Sequence, residues 1–344
     1  MPFDDEPTCM RTALDVLGPH LFALPDGEIG EKTPRFPNGI RIAWVMYAIE
    51  TMTLDHANWR VVKEAVRGAD GMAVDYRSIQ KLRPLRRPSE MPNHVSLGYD
   101  RYFRKSYREF VKLRSERSLH RLKFQMGVPT GFAMGGVFAS PLDWIRYTPA
   151  FNTVVAREVN AAIDEAGDDL IVQIEVPPEL YVAYKLPGFL LDLALRPILD
   201  LLAKLRPGAR IGVHLCLGDF HRESLLRPKT LDKMVAFSNR LVEKWRRAQQ
   251  LLYVHFPFAE GRLPPLTDPA YYRPLREVRL PSNVRFAAGF IHEKRTLEEN
   301  RRILAAIEEA RGHEVVVSSS CGLGRRTQEE AREILELTRQ VLDS

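Results

Sequence analysis

His214 and Cys216 lie two apart in the run RIGVHLCL (210–217), and Cys321 closes a second apolar run, EVVVSSS (314–320). A strand points residues i and i+2 to one face, so the imidazole and the first thiol face the same way. Two thiols and an imidazole are a donor set that borderline-soft Zn(II) takes. With so few protein ligands a position stays open for a substrate atom. A thiol bound there would be deprotonated at neutral pH, and a thiolate is the nucleophile that alkyl transfer needs. Cysteine and histidine buried in a core without metal would show the same spacing, so spacing alone leaves both alternatives open.

Other reactive side chains also gather where apolar runs end. LIVQIEV (170–176) carries Gln173 and Glu175, LLYVHFPF (251–258) carries His255 with Glu260 just beyond, and His292 follows VRFAAGFI (284–291). A carboxylate ending an apolar strand must be paired or must bind something, which marks Glu175 as functional. His255 is either a ligand or a group orienting one. His292 could protonate a leaving group, or be a hydrogen-bonded structural histidine. In GLGRR (322–326) the backbone N–H groups and Arg325 could hold an anion, or form an ordinary glycine-rich turn. Asp219 is expected to cap a loop, and His221 to lie on the surface.

These runs need a frame that aligns them. RLKFQMGVP (121–129) and the runs named above are short, apolar and near Gly, Pro or Ser, as buried parallel strands are. Amphipathic stretches lie between them, over roughly 151–166, 188–205, 230–250, 296–311 and 327–342. Thr296 with Glu299, and Thr327 with Glu330, have capping-box spacing. Strand–helix alternation predicts a parallel α/β fold. With HLFALP (20–25) as first strand and another near GMAVDY (71–76), eight strands give a single (β/α)8 TIM barrel over 1–344. Prolines at 25, 34, 37, 84, 88 and 92 make the N-terminal region loop-rich. In this fold such loops cap the active-site face. Residues 1–18 are expected to form an N-terminal arm.

Composition narrows the class. The chain has 344 residues, 45% of them hydrophobic, enough for a full core. Three cysteines argue against a disulfide framework and fit a reducing compartment. The acidic start MPFDDEPTCM has no secretory pattern, and no apolar run reaches the length of a membrane span. A cytoplasmic location is the expectation. Net charge is a mild +6, although basic residues cluster in 81–88 and 101–123. Arg101, Arg104, Arg108 and Lys112 share one helical face. That face is either solvated or a guide for an anionic substrate, and no motif joins it to nucleic acid.

Five segments, in order, resemble the catalytic barrel of cobalamin-independent methionine synthase, in the superfamily that also holds uroporphyrinogen decarboxylase. MGVPTGFAMGGVF (126–138) is similar to its GPVT segment, IVQIEVPPEL (171–180) to IQIDEPALRE, and VHLCLGDF (213–220) to THMCYCEF. FAAGFIHEKR (286–295) is similar to GVYDIHSPR, and SSSCGLGRR (318–326) to PDCGLKTR. The resemblance spans roughly 120–344 and implies a catalytic barrel without the synthase's extra N-terminal one.

Carried over position by position, it implies zinc ligands His214, Cys216 and Cys321, with Glu175 on the substrate amine and His292 as proton donor. The family's fourth ligand, a glutamate, falls on His255, with Glu260 as the alternative. The aromatic residue that stacks on folate falls on Phe138. ALPDGEIG (23–30) stands where homocysteine is held, offering Asp26 and Glu28, while Glu179 lies near but out of register with the second glutamate of IQIDEPALRE.

The resemblance therefore implies a zinc-dependent alkyl (methyl) transferase that activates a small-molecule thiol, with an alkyl donor that is a folate in the family. Zinc is the expected cofactor. Neither nucleic acid nor membrane is an expected partner, and the chain is expected as a monomer or homodimer. A zinc lyase or hydrolase on a specialised metabolite, and a metal-free decarboxylase-like relative, are the alternatives.

Overall fold

The computed structural model describes residues 1–40, 44–245 and 248–343. Short runs of branched and aromatic residues form β1 (Ala23–Pro25), β2 (Trp59–Lys63), β3 (Lys81–Pro84), β4 (Lys123–Pro129), β5 (Leu170–Glu175), β6 (Arg210–His214), β7 (Gln250–Pro257), β8 (Arg285–Ile291) and β9 (Val316–Ser319). The helices before β5 are α1 (Glu6–Leu17), α2 (Trp44–Leu54), α3 (Met91–His94), α4 (Tyr99–Glu116), α5 (Gly131–Met134) and α6 (Pro141–Ala166). After it come α7 (Pro177–Lys185), α8 (Leu191–Leu202), α9 (Asp232–Glu243), α10 (Leu297–Arg311) and α11 (Gln328–Leu342).

Seven strands form one sheet in the order β1-β4-β5-β6-β7-β8-β9, every neighbouring pair parallel, while β2 and β3 make a separate antiparallel hairpin. The sheet is curled. Tyr253 of β7 reaches Gln125 of β4 at 3.1 Å and Gln173 of β5 at 2.9 Å through its hydroxyl. Arg285 of β8 lies 4.9 Å over the ring of Phe22, next to β1. In a flat sheet those two strands would stand roughly 24 Å apart, so the two ends must swing toward each other around a shared interior.

Helices cover the outside. The two capping boxes form as the spacing predicts, Thr296 with Glu299 and Thr327 with Glu330, and start α10 and α11. α6 starts ten residues earlier than the pattern predicts, with Pro141 in its first turn, where no N–H is required. Residues 1–18 are not a loose arm. Asp5 caps α1, which buries Cys9, Met10, Ala13 and Leu14 and packs on α4 and α11.

The expected strand at 71–76 is not in the sheet. Gly71 turns the chain at φ +78°, and only Ala73 makes a bridge, antiparallel to Arg67. On the basic face of α4, Arg104 is paired with Asp100 and Glu165, as on a solvated helix surface. No helix among the described residues is long and apolar enough to cross a membrane.

Candidate metal centre at the strand ends

Parallel pairing sets Glu175, His214 and His255 side by side at the C-terminal ends of β5, β6 and β7. The imidazoles of His214 and His255 consequently stack, 4.5 Å between centroids. Beyond His214 the chain keeps pairing for one residue, Leu215 N–H donating to the His255 carbonyl at 2.9 Å. It then turns at Gly218, which needs φ +80°, and the Gly218 N–H donates to Cys216 Sγ at 3.3 Å. Cys321 arrives from the end of β9. One ligand atom from each of His214, Cys216 and Cys321 lies within 4.8 Å of the others.

The donor set fits a metal ion on its own chemistry. Both ring nitrogens of His214 are buried without a hydrogen-bond partner, an arrangement that costs free energy unless something satisfies it. Burial, and then His255, hold the His214 pKa well below its usual range, so the ring is a neutral donor. The two thiols share a hydrogen bond that pushes Cys216 well up and pulls Cys321 down.

A charged ring surrounds these donors. Arg325 pairs with Asp219 at 3.0 Å and donates to Cys321 Sγ at 3.7 Å. Arg325 thus reaches the donor group from the loop after β9. Asp219 does cap its loop, accepting from Arg222 N–H at 3.0 Å, but it also anchors Arg325.

Glu28 and Glu175 converge over Gly127. A Cβ on that glycine would stand 3.1 Å from a Glu175 oxygen and 3.3 Å from a Glu28 oxygen. Desolvation first, then Glu175 and Asp26, hold Glu28 well above the usual carboxylate range, and desolvation also raises Glu175. Asp26 sits behind the pair. It accepts from Glu28 N–H at 2.9 Å and from Ser106 at 2.7 Å, fixing Glu28 in a left-handed conformation at φ +54°. Gln173 donates to Glu175 at 3.3 Å and accepts from Tyr253.

Other expected residues stand apart from this group. His255 stacks on His214 but does not join the three converging donors. Its Nε2 faces Gly289, where a Cβ would collide with it, and burial pulls its pKa down to about 4 against the Ser319 backbone. Glu260 stands apart from the three donors, its Oε2 held by Ser224 and by Arg227, the latter at 3.0 Å, while Oε1 is buried without a hydrogen-bond partner. His292 is a clip: Nε2 lies 3.0 Å from the Glu260 carbonyl, while Nδ1 accepts from Lys294 N–H at 3.1 Å. Burial pulls its pKa down to about 4, against the Glu293 carboxylate 3.2 Å from Nδ1, so the ring is neutral with its one N–H engaged by backbone. Phe138 is a core residue, stacked at 5.9 Å on Trp59 and packed on Tyr147 and Phe151.

Glu179, at the start of α7, is fully buried with Thr130 donating to it, and its pKa is pushed up to about 7 by burial. Its folded pKa is raised, so the native state holds a proton that the unfolded chain has released. Stability is therefore expected to fall by about 3 kcal/mol as pH rises from about 4.5 to about 7. Urea unfolding across that range checks this. Glu179→Gln should flatten the slope, and an unchanged slope would show that the carboxyl ionises normally.

Two residues near the centre escaped sequence reasoning. Tyr76 comes from the irregular segment before β3, and Tyr253 binds the polar side chains below Glu175 from inside β7. The alternation of LLYVHFPF puts Tyr253 on the face of His255 and so offered a signal. Nothing in the spacing around Tyr76 did.

No protein-family model matches the chain, and no curated protein matches it in sequence. Among solved structures it is similar to a B12-independent methionine synthase from Shewanella sp. W3-18-1, solved in complex with selenomethionine. The TM-score is 0.59 at 13% identity, with 98% of this chain and 86% of that chain covered. The chain has a methionine-synthase catalytic-domain-like fold.

Proposed function

We propose that this chain is a zinc-dependent alkyl transferase acting on a small thiol that also carries an amine, in the manner of methionine synthase. The observation that carries this is the convergence of His214, Cys216 and Cys321 with both His214 nitrogens unpartnered. When bound there, the ion would supply the positive charge that keeps a substrate thiol ionised at neutral pH. His214, Cys216 and Cys321 would hold it, and Arg325, fixed by Asp219, would steady the Cys321 sulfur.

Glu28 and Glu175 would receive the substrate's ammonium, with Gln173 orienting Glu175. His255 packs on His214 and would set its ring plane. His292 would hold the loop after β7, and could act as proton donor only if that loop released its N–H. The folate platform expected at Phe138 is absent from this reading, because that ring belongs to the core. The curled sheet would form the wall of a (β/α)8 barrel, its remaining strand position lying between β9 and β1, with the N-terminal loops as its cap.

The test is Co(II)-loaded protein titrated with L-homocysteine and, in parallel, L-homoserine. Homocysteine should intensify the sulfur-to-cobalt absorption, and homoserine should not. Identical responses to the two would remove the thiol from the proposal and favour hydrolytic or lyase chemistry.

A further inference from the structure

The turn that follows the metal-ligand strand is strained and grips a distant part of the chain. His221 and Arg222 both have positive φ, +50° and +69°, a region that L side chains rarely adopt. Phe220 and Glu223 exchange both backbone hydrogen bonds across them at 2.9 Å, closing a two-residue turn that Asn and Gly usually make. Such strain persists where the surroundings over-determine it. Here Asp219 fixes the Arg222 N–H, Glu293 and Glu330 hold the Arg222 guanidinium at 3.1 and 2.8 Å, and His221 Nε2 lies 2.7 Å from the Ala73 carbonyl.

The segment held through Ala73 is itself folded against the body. Arg67 pairs with Glu50 at 2.9 Å and donates to the Gly71 carbonyl at 2.8 Å, and Gly68 N–H donates to the Met72 carbonyl at 2.8 Å. Three residues beyond Ala73, the ring of Tyr76 packs on Phe220 at 5.0 Å. Its hydroxyl stands 2.8 Å from where a Cβ of Gly218 would be, and Gly218 is the residue whose N–H holds Cys216 Sγ. The phenol oxygen thus lies against the turn that links Cys216 to Asp219, whose carboxylate holds Arg325. The residue as a whole is 38% exposed, so Tyr76 spans from solvent to the centre.

We propose that Tyr76 is a substrate-contacting residue of the centre, its phenol donating a hydrogen bond to the sulfur of the bound thiol, and that His221 is the positioning residue that keeps it there. This rests on the metal-centre reading above and adds a contact from the N-terminal region. A phenol is a donor at neutral pH, and a substrate sulfur beside Cys216 and Cys321 would be the acceptor within its reach. The strained turn then has a use: it registers segment 67–76 against the end of β6, so that one loop presents both Cys216 and the anchor for Tyr76.

The experiment compares wild type, Tyr76→Phe, His221→Ala and the double variant, each loaded with Co(II) and titrated with L-homocysteine. Phenylalanine keeps the packing on Phe220 and removes only the hydroxyl. Metal content should stay unchanged in all four. Homocysteine should bind about tenfold more weakly in Tyr76→Phe, the loss of one ordinary hydrogen bond. The sulfur-to-cobalt band should shift to lower energy, which a merely structural role would not cause. His221→Ala should show a comparable loss, and the double variant no further one, because both act through the same bond. Unchanged affinity and band position in Tyr76→Phe, with metal retained, would overturn the proposal and leave the metal centre standing. Loss of metal from Tyr76→Phe would equally overturn it, making the residue a structural prop. A wild type that takes up no Co(II) would fell the metal-centre reading and this contact together.

Discussion

Cys216→Ser and Cys321→Ser should each take bound zinc from about one ion per chain to nearly none, and alkyl transfer with it. Among the described residues three donors converge, so removing one leaves two, too few to compete with water and buffer. Serine is a poor substitute because its neutral hydroxyl is a far weaker ligand for a borderline-soft ion than a thiolate. The two variants should fold as the metal-free wild type does. Cys216 is buried and Cys321 half-buried, and each change replaces sulfur by oxygen in a site that already contains polar groups. Metal analysis beside circular dichroism separates the effects. Folded variants with undiminished zinc would mean that the ion sits elsewhere.

The second large effect concerns the acidic pair. Glu175→Gln and Glu28→Gln should each weaken an amino thiol such as L-homocysteine by about 10- to 100-fold, the range for a hydrogen bond to a charged group. 2-Mercaptoethanol, which has no amine, should bind these variants as it binds wild type. Both carboxyls have raised pKa values in the free protein, so the sign with pH is defined. The pair gains negative charge as pH rises through its titration, and amino-thiol affinity should rise with it. The protein's own stability should move the other way, because a raised folded pKa lends stability that is lost as pH rises. Calorimetric titration at several pH values tests both variants, and equal losses for the two thiols would remove the amine from the recognition.

Much of this donor group was legible in the sequence because its members stand on strands or at strand ends. The two-residue period predicts that His214 and Cys216 share a face, and the parallel register turns single-strand positions into a row with Glu175 and His255. Capping-box spacing likewise placed α10 and α11. What spacing does not encode is which hydrogen bonds a side chain makes once loops have closed. His292 looks like an acid until Lys294 N–H and the Glu260 carbonyl are seen to occupy both ring nitrogens. Phe138 looks like a platform until Trp59 arrives from β2 and buries it. At 71–76 turn chemistry outweighed apolar content: Gly71 lies so close to the Arg35 carbonyl that no Cβ fits there, and the chain reverses instead of extending. That reversal brings Tyr76 against Phe220, a packing no pattern foretold.

The donors come from β6 and β9, and β7 and β8 lie between those strands in the sheet. An ion held by His214, Cys216 and Cys321 would therefore clasp the last strand to the middle of the sheet. The clasp cannot close until β7, β8 and β9 have all docked in register, so metal capture would come late in folding and report that the sheet is complete. Its loss would be felt first at the chain's C-terminal unit, β9 with α11, which would open before the rest unfolds. The same three side chains would then serve both as a reaction centre and as the fastening of the fold that presents it.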